Sequence, residues 1–201
     1  MHPNTAFRPS AGHDPLDQIA SIAFARIFAA TPDGPRIAHA PVLRTAPDRL
    51  RFHLANYNAL VPHLAGATAL IVAEGPNGYI SANWYADVGG AVPTWNYVAV
   101  EAEGPIAALD RAALIDLLDG LSATLEPRVG EDWTRAKMEA PRFEAMLKAI
   151  TAFEMTVTAT RATHKLSQNK SAPAAERLIA EMAGQGNAAM AEAMRKARRP
   201  E

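Results

Sequence analysis

Between residues 25 and 56 the chain carries three strand-like runs in succession, ARIFAA, RIAHAPVLR and LRFHLAN, and this series limits the possible fold more than any other feature. The first two flank Thr31-Pro32-Asp33-Gly34-Pro35, whose proline and glycine suit a tight turn, so they read as a β-hairpin. The third is entered through Pro47-Asp48. It alternates Leu50, Phe52 and Leu54 with Arg51, His53 and Ala55, giving one apolar and one polar face.

More strands follow. ATALIVAEG has a near-continuous Leu70, Ile71, Val72 core that suits a strand covered on both faces. WNYVAVEAEGPIAAL reads as another long strand. AFEMTVTATRAT alternates Phe153, Met155 and Val157 with Glu154, Thr156 and Thr158 and reads as one final strand. Helical signals lie between and after them. Asp14 and Pro15 open DPLDQIASI as cap and first position, and Asp110 precedes RAALIDLLDGL, where Leu114, Ile115, Leu117, Leu118 and Leu121 form an apolar stripe. Further helices are predicted over residues 59–64 and 141–150, and the tail reads as two, 174–183 and 188–195, broken at Gly184-Gln185-Gly186. Six or seven strands with helices inserted late and appended at the end describe an α+β chain built on an antiparallel barrel. The predicted organisation is a barrel domain over residues 1–164 and a helical extension over 165–201, packed on the barrel or on a dimer partner.

Several chemistries are excluded early. With no cysteine among 201 residues, disulfide frameworks, thiolate metal sites and cysteine nucleophiles are impossible. Walker A, HExxH and G-x-S-x-G motifs are absent from the sequence, which removes support for hydrolytic and nucleotide-driven reactions. The six histidines, His2, His13, His39, His53, His63 and His164, stand singly, so no metal site is expected, although His39 and His53 lie on strands that could be neighbours. A net charge of −1 gives no overall field for nucleic acid, leaving RKARR at residues 195–199 as the one basic segment. The N-terminus lacks a basic-then-apolar leader, and no apolar run is long enough to cross a bilayer, so a cytoplasmic location without membrane association is expected. GQGNAA formally matches a dinucleotide pattern but sits between two helices, where that motif has no mechanism.

Two polar and aromatic constellations remain. Residues 75–100 hold Tyr79, Trp84, Tyr85, Trp95 and Tyr97, two of the three tryptophans and three of the four tyrosines, together with Ser81, Asn83, Thr94 and Asn96. Flat π-faces beside amides and hydroxyls suit a heteroaromatic ring; they equally suit a core cluster or a subunit interface. HKLSQNK, where the last strand ends, sets Lys165 beside Ser167, Gln168 and Asn169, a group fit for a phosphate or a ring edge and equally for a solvated strand end.

GPNGYISANWY, VPTWNYVAVEAEG and HKLSQNK, in this order and spacing, closely resemble the PaiB family of FMN-binding split-barrel proteins, often labelled negative transcriptional regulators. TPDGPRIAHAPVL, RFHLANYN and the tail ERLIAEMAGQG fit the same family, so the resemblance spans nearly the entire chain. It implies a split β-barrel with peripheral helices, a homodimer, and FMN in a groove between subunits. Carried onto this sequence, the cofactor-binding candidates are His39, His53, Asn58, Tyr79, Ser81, Trp95, Asn96, Lys165, Ser167 and Gln168, with no catalytic residue assigned. Similar proteins read HxARANP after the third strand. Here HLANYNA puts Asn56 and Tyr57 where arginine and alanine are usual, and Ala59 where proline is usual. Without that guanidinium, FMN is expected to bind weakly or not at all unless Lys165, Arg44 or Arg51 supplies the missing donor.

Three functions are compatible with this reading. The first is an FMN-binding regulator, acting through a metabolite or partner more readily than through direct DNA contact, since no basic recognition helix is present. The second is a flavin-dependent oxidoreductase resembling pyridoxamine phosphate oxidases or flavin reductases. The third is a cofactor-free dimer that binds a small molecule or a partner.

Overall fold

The structure is a computed structural model, and it describes residues 3–10, 12–85, 91–130 and 132–198. His2, Arg199 and the stretch 86–90 of the aromatic segment lie outside the described residues.

Local signals start the helices where the sequence places them. Asp14 Oδ1 accepts from Leu16 N at 2.8 Å and opens α1, Pro15–Ile22, with Pro15 in the first turn. Asp110 Oδ1 accepts from Ala113 N at 2.8 Å and opens α3, Arg111–Leu125. Each satisfies an amide that the first helical turn leaves without an internal acceptor. On α3 the residues Leu114, Leu117 and Leu121 are buried, with Ile115 and Leu118 half-buried beside them.

β1, Phe24–Thr31, and β2, Gly34–Ala46, form the predicted hairpin, paired antiparallel from Phe24↔Pro41 to Thr31↔Gly34. Gly34 takes φ +99 at the turn, a conformation that favours glycine. β3, Arg49–Ala55, pairs with β2 through Val42↔Phe52. Leu50, Phe52 and Leu54 are buried on it while the alternate residues are only half-buried. After α2, Val61–Leu64, come β4, Thr68–Ile80, and β5, Thr94–Ala108. β4 strictly alternates between Ala69 and Ala73, leaving Leu70 and Val72 half-buried, so one face of this strand is only partly covered.

The sequence reading and the structure differ most at the end of the fourth helix and in the last strand. α4 spans Ala140–Leu147, and Ile150 belongs instead to β6, Ile150–Thr156, because it pairs with Ala55 on β3. The single final strand is two, β6 and β7, Ala159–Lys165. The break at Val157 and Thr158 arises because their amides turn to different neighbours: Val157 N donates to Asp48 O at 2.9 Å and Thr158 N to Glu103 O at 2.8 Å. The tail forms α5, Ala172–Gly184, and α6, Ala188–Lys196. Gly186 at φ +81 and the Asn187 cap on Met190 N separate them, so GQGNAA is a helix stop followed by a helix start.

The strand order is β4-β1-β2-β3-β6-β5-β7, and a further β4–β5 pairing closes the first six strands on themselves, as in a split barrel. By internal packing the chain divides into two units, one of residues 1–13, 74–100 and 161–201 and the other of 14–73 and 101–160. The first unit has its own core, in which Ile80, Val98 and Leu166 meet Leu178 and Met182 of α5 and Met190 and Met194 of α6. In the second, α3 and α4 cover Ala152 of β6 with Leu114, Leu117, Leu121 and Leu147.

Candidate functional site

Within the first unit the aromatic segment splits by strand geometry. Successive side chains on a strand point to opposite faces. On β5 the buried positions are Asn96, Val98 and Val100, while Trp95 is 52% exposed. Trp95 meets Tyr79 of β4, itself 50% exposed, with ring centroids 6.0 Å apart, and its Nε1 donates to Asn77 Oδ1 at 3.1 Å. Two large aromatic rings thus stand open on one face of the β4–β5 pair.

The other face carries the polar group. Asn96 is fully buried and its Nδ2 donates to Ser167 Oγ at 2.9 Å. Lys165 donates to the Thr94 hydroxyl and lies 5.9 Å from the centroid of the Phe7 ring. Together with Tyr85, Asn169 and Lys170 these residues line a cavity of about 190 Å³. Lys170 holds its ammonium 5.0 Å from the Tyr85 ring centroid. Burial pulls the Lys165 ammonium below its ordinary value. Among the described residues no carboxylate pairs with it, and an anion entering the cavity would restore the charge that desolvation opposes.

The remaining sequence candidates have local duties. Ser81 Oγ accepts from Asn83 N at 3.2 Å and caps a 3-10 turn over Ala82–Trp84. Gln168 uses its whole amide to shape the strand end: Oε1 accepts from Leu166 N at 2.8 Å, and Nε2 donates to His164 O at 2.6 Å and Ala6 O at 3.0 Å. His39, His53 and Asn58 belong to the second unit. His39 is exposed and stacked on Phe24, while Asn58 Oδ1 accepts from Leu60 N at 3.0 Å in a turn. His39 and His53 occupy adjacent strands, but His39 stands opposite Arg26 on β1 and His53 opposite Ala152 on β6.

The sequence departure at Asn56 has a structural use. Its Nδ2 donates to Lys148 O and its Oδ1 accepts from Thr151 Oγ1, both at 2.7 Å, tying the end of β3 to the start of β6. Arg44 is held by Asp14 and Asp17 at 2.7 and 2.5 Å, and Arg51 by Glu154 at 2.6 Å. Of the three substitute cations, Lys165 is therefore the one lining the polar cavity. Sequence reasoning missed Phe7 and Lys170. Lys170 stands in the HKLSQNK run and could have been included; nothing in the N-terminal segment marked Phe7.

Also in the first unit, His13 and His164 pack edge to face at 4.8 Å. Burial, with the His13 ring as a second cause, pulls the His164 imidazole down from 6.5 to about 4. The unfolded chain therefore binds this proton more readily than the folded one, so stability is intact above pH 6.5 and declines as pH falls toward 4. Urea titrations at pH 7 and pH 4.5 should show a lower midpoint at the acid pH, and His164→Gln should shrink that difference; an unchanged difference would remove His164 as its source.

Among the described residues no group of three or more histidine or acidic side chains could hold a metal ion, and no helix is long and apolar enough to cross a membrane.

Over residues 1–159 the sequence matches the family described as "Putative FMN-binding domain" (FMN_bind_2). Over 101 residues it is 34% identical to Protease synthase and sporulation protein PAI 2 of Bacillus subtilis (strain 168), a match covering 50% of this chain and 48% of that protein. The chain thus spans about half the length of this curated relative in the match. Its fold is similar to that of the FAD and heme binding protein from Mycobacterium smegmatis, with TM-score 0.57 and 17% identity over 78% of this chain and 72% of that one. The flavocytochrome Anf3 from Azotobacter vinelandii is similar at TM-score 0.59 and 13% identity, over 77% and 68% of the two chains. Identities this low speak to the fold alone. The family match, the PAI 2 relative and the closed strand order with its helical additions agree, and the chain belongs to the PaiB-type family of FMN-binding split-barrel proteins.

Proposed function

We propose that this protein is a homodimeric, FMN-responsive regulator whose flavin phosphate is held at Lys165 and whose ring is enclosed by a second copy of the chain. The observation that carries this reading is the polar cavity on the inner side of β5. It offers two ammonium groups, the Thr94 and Ser167 hydroxyls and the Asn169 amide, a donor set suited to a phosphate. At about 190 Å³ it is smaller than the roughly 300 Å³ at which pockets for whole drug-sized ligands begin. One chain therefore supplies a phosphate-sized recess but no room for the tricyclic ring. The exposed Tyr79–Trp95 pair faces away from that recess, where it is available to another subunit.

When bound, flavin supplies redox and light-absorbing chemistry of its own. The protein's part is to bind, orient and shield it. Regulation is the role that the resemblance to the PaiB family implies; the similar protein from Bacillus subtilis is named a protease synthase and sporulation protein. The basic C-terminal residues lend little to direct DNA contact. Arg195 pairs with Glu192 at 3.3 Å and Arg198 donates to Lys170 O at 3.2 Å.

The test is visible absorption and titration of the purified protein with FMN and with riboflavin, which lacks the phosphate. Lys165→Ala should weaken FMN by about 10- to 100-fold, the loss of one charge-assisted contact, and leave riboflavin nearly unchanged. No FMN binding below millimolar concentration would sink the flavin reading, and equal losses for FMN and riboflavin would move the phosphate elsewhere. A protein that stays monomeric with FMN bound would sink the dimer. Rapid reduction of the bound flavin by NAD(P)H would replace regulator with oxidoreductase.

A further inference from the structure

The lysine recess of the first unit is walled in part by the N-terminal segment. Residues 3–10 make one 3-10 turn over Thr5–Phe7, shaped by local hydrogen bonds. Asn4 Oδ1 accepts from Ala6 N at 2.9 Å, Phe7 N donates to Asn4 O at 3.2 Å, and Arg8 N donates to Thr5 O at 3.0 Å. Pro3 to Ala6 and Arg8 are exposed. Phe7 is the exception: it is 5% exposed and lines the recess, its ring centroid 5.9 Å from Lys165 Nζ.

Contacts at both ends seat this segment. Gln168 Nε2 donates to Ala6 O at 3.0 Å, from the same amide that shapes the end of β7. Downstream, the edge-to-face packing of His13 on His164 supplies the second anchor. That anchor carries a cost. His13 Nε2 is buried with no hydrogen-bond partner among the described residues, and release into water would satisfy it. Beside it Gly12 takes φ +83, and a Cβ there would meet nothing within 4 Å, so the chain has room to turn at this point. With one buried ring, local hydrogen bonds and a costly anchor, the segment belongs to the low-stability end of the fold, where opening does not require global unfolding.

What the seated segment does follows from what it covers. At 5.9 Å the Phe7 ring is at the edge of cation–π reach, so its main effect on Lys165 is to keep water from one side of the ammonium. Burial already pulls that ammonium below its ordinary value. In an empty recess, seating the segment strips water from a cation; with an anion present, the same loss of water strengthens the attraction between the two charges. Anion binding therefore favours the seated segment, and by linkage the seated segment favours the anion.

We propose that residues 3–10 form a strap that opens to admit a phosphate-bearing ligand to the lysine recess and closes over it, with Phe7 as the positioning residue that shelters Lys165. This deepens the function proposed above and rests on its assignment of the phosphate to Lys165.

Competitive acetylation with trace acetic anhydride, read by mass spectrometry between pH 7 and pH 10.5, measures the shelter without any ligand. Exposed Lys148 serves as the rate reference. In the unaltered protein Lys165 should titrate below an ordinary lysine and, once neutral, react more slowly than the reference. Phe7→Ala should raise that limiting rate about threefold or more, and Phe7→Leu, which keeps an apolar cover, should retain most of the shelter. In a second arm, saturating FMN should slow amide hydrogen exchange across residues 4–8 of the unaltered chain about tenfold. Phe7→Ala should release FMN about fivefold to tenfold faster, with little change in association rate. An unchanged limiting rate at Lys165 in Phe7→Ala, FMN that binds without slowing exchange at residues 4–8, or equal FMN release from the two proteins would each overturn the strap. Failure of FMN to bind would sink the flavin reading alone, and the acetylation arm would still decide whether this segment shelters Lys165.

Discussion

Replacing Gly104 with alanine should cost at least about 3 kcal/mol of folding stability, near the upper end for a single added methyl group. A Cβ at this position would fall 1.9 Å from Thr156 O, 2.9 Å from its carbonyl carbon and 3.3 Å from Met155 Cγ. Backbone atoms cannot yield as a flexible side chain can. β5 and β6 are also pinned here on both sides: Ile106 stands opposite Met155, Thr158 N and Oγ1 both donate to Glu103 O at 2.8 and 3.0 Å, and Val157 N donates to Asp48 O at 2.9 Å. Relief would require breaking those hydrogen bonds together. Soluble yield and the urea midpoint read the effect; a loss under about 1 kcal/mol would mean the strands part without resistance.

Phe153→Ala should cost about 3–5 kcal/mol, the usual range for emptying a well-packed aromatic site. Phe153 is 1% exposed, directly opposite Phe52 in the β3–β6 register, and the two rings stack with centroids 5.6 Å apart at 26°. Both faces of β6 are covered at this point, since Ala152 packs under α3 and α4 while Phe153 faces the strands. The site therefore has little freedom to collapse. A double-mutant cycle with Phe52→Ala should show about 0.5–1.5 kcal/mol of coupling beyond area burial. Strict additivity would mean the rings are neighbours without a specific interaction.

Both effects arise where distant segments meet, and the same distinction governs what could be read in advance. The hairpin at Thr31–Gly34, the face carried by Leu50, Phe52 and Leu54, and the caps at Asp14 and Asp110 were legible because each depends on residues within one turn or one strand. The opposite facing of Trp95 and Asn96 was legible too, from alternation alone, although grouping both as one site concealed it. The division of β6 from β7 was not legible. Phe153, Met155 and Val157 keep a perfect period of two, and only the partners Asp48 and Glu103 break the strand after Thr156.

The candidate site follows the same rule. Lys165 and Ser167 announced a polar strand end, but Phe7 came from a segment without pattern, and the full use of the Gln168 amide depended on Ala6, 162 positions away. Asn56 looked like a loss of phosphate binding and serves as a brace between β3 and β6. Sequence alone settled which residues could form strands and helices, because periodicity, capping and turn chemistry act between near neighbours. The open aromatic face and the lysine-lined recess came from the folded chain, because each is a space between segments whose separation in sequence carries no local signal.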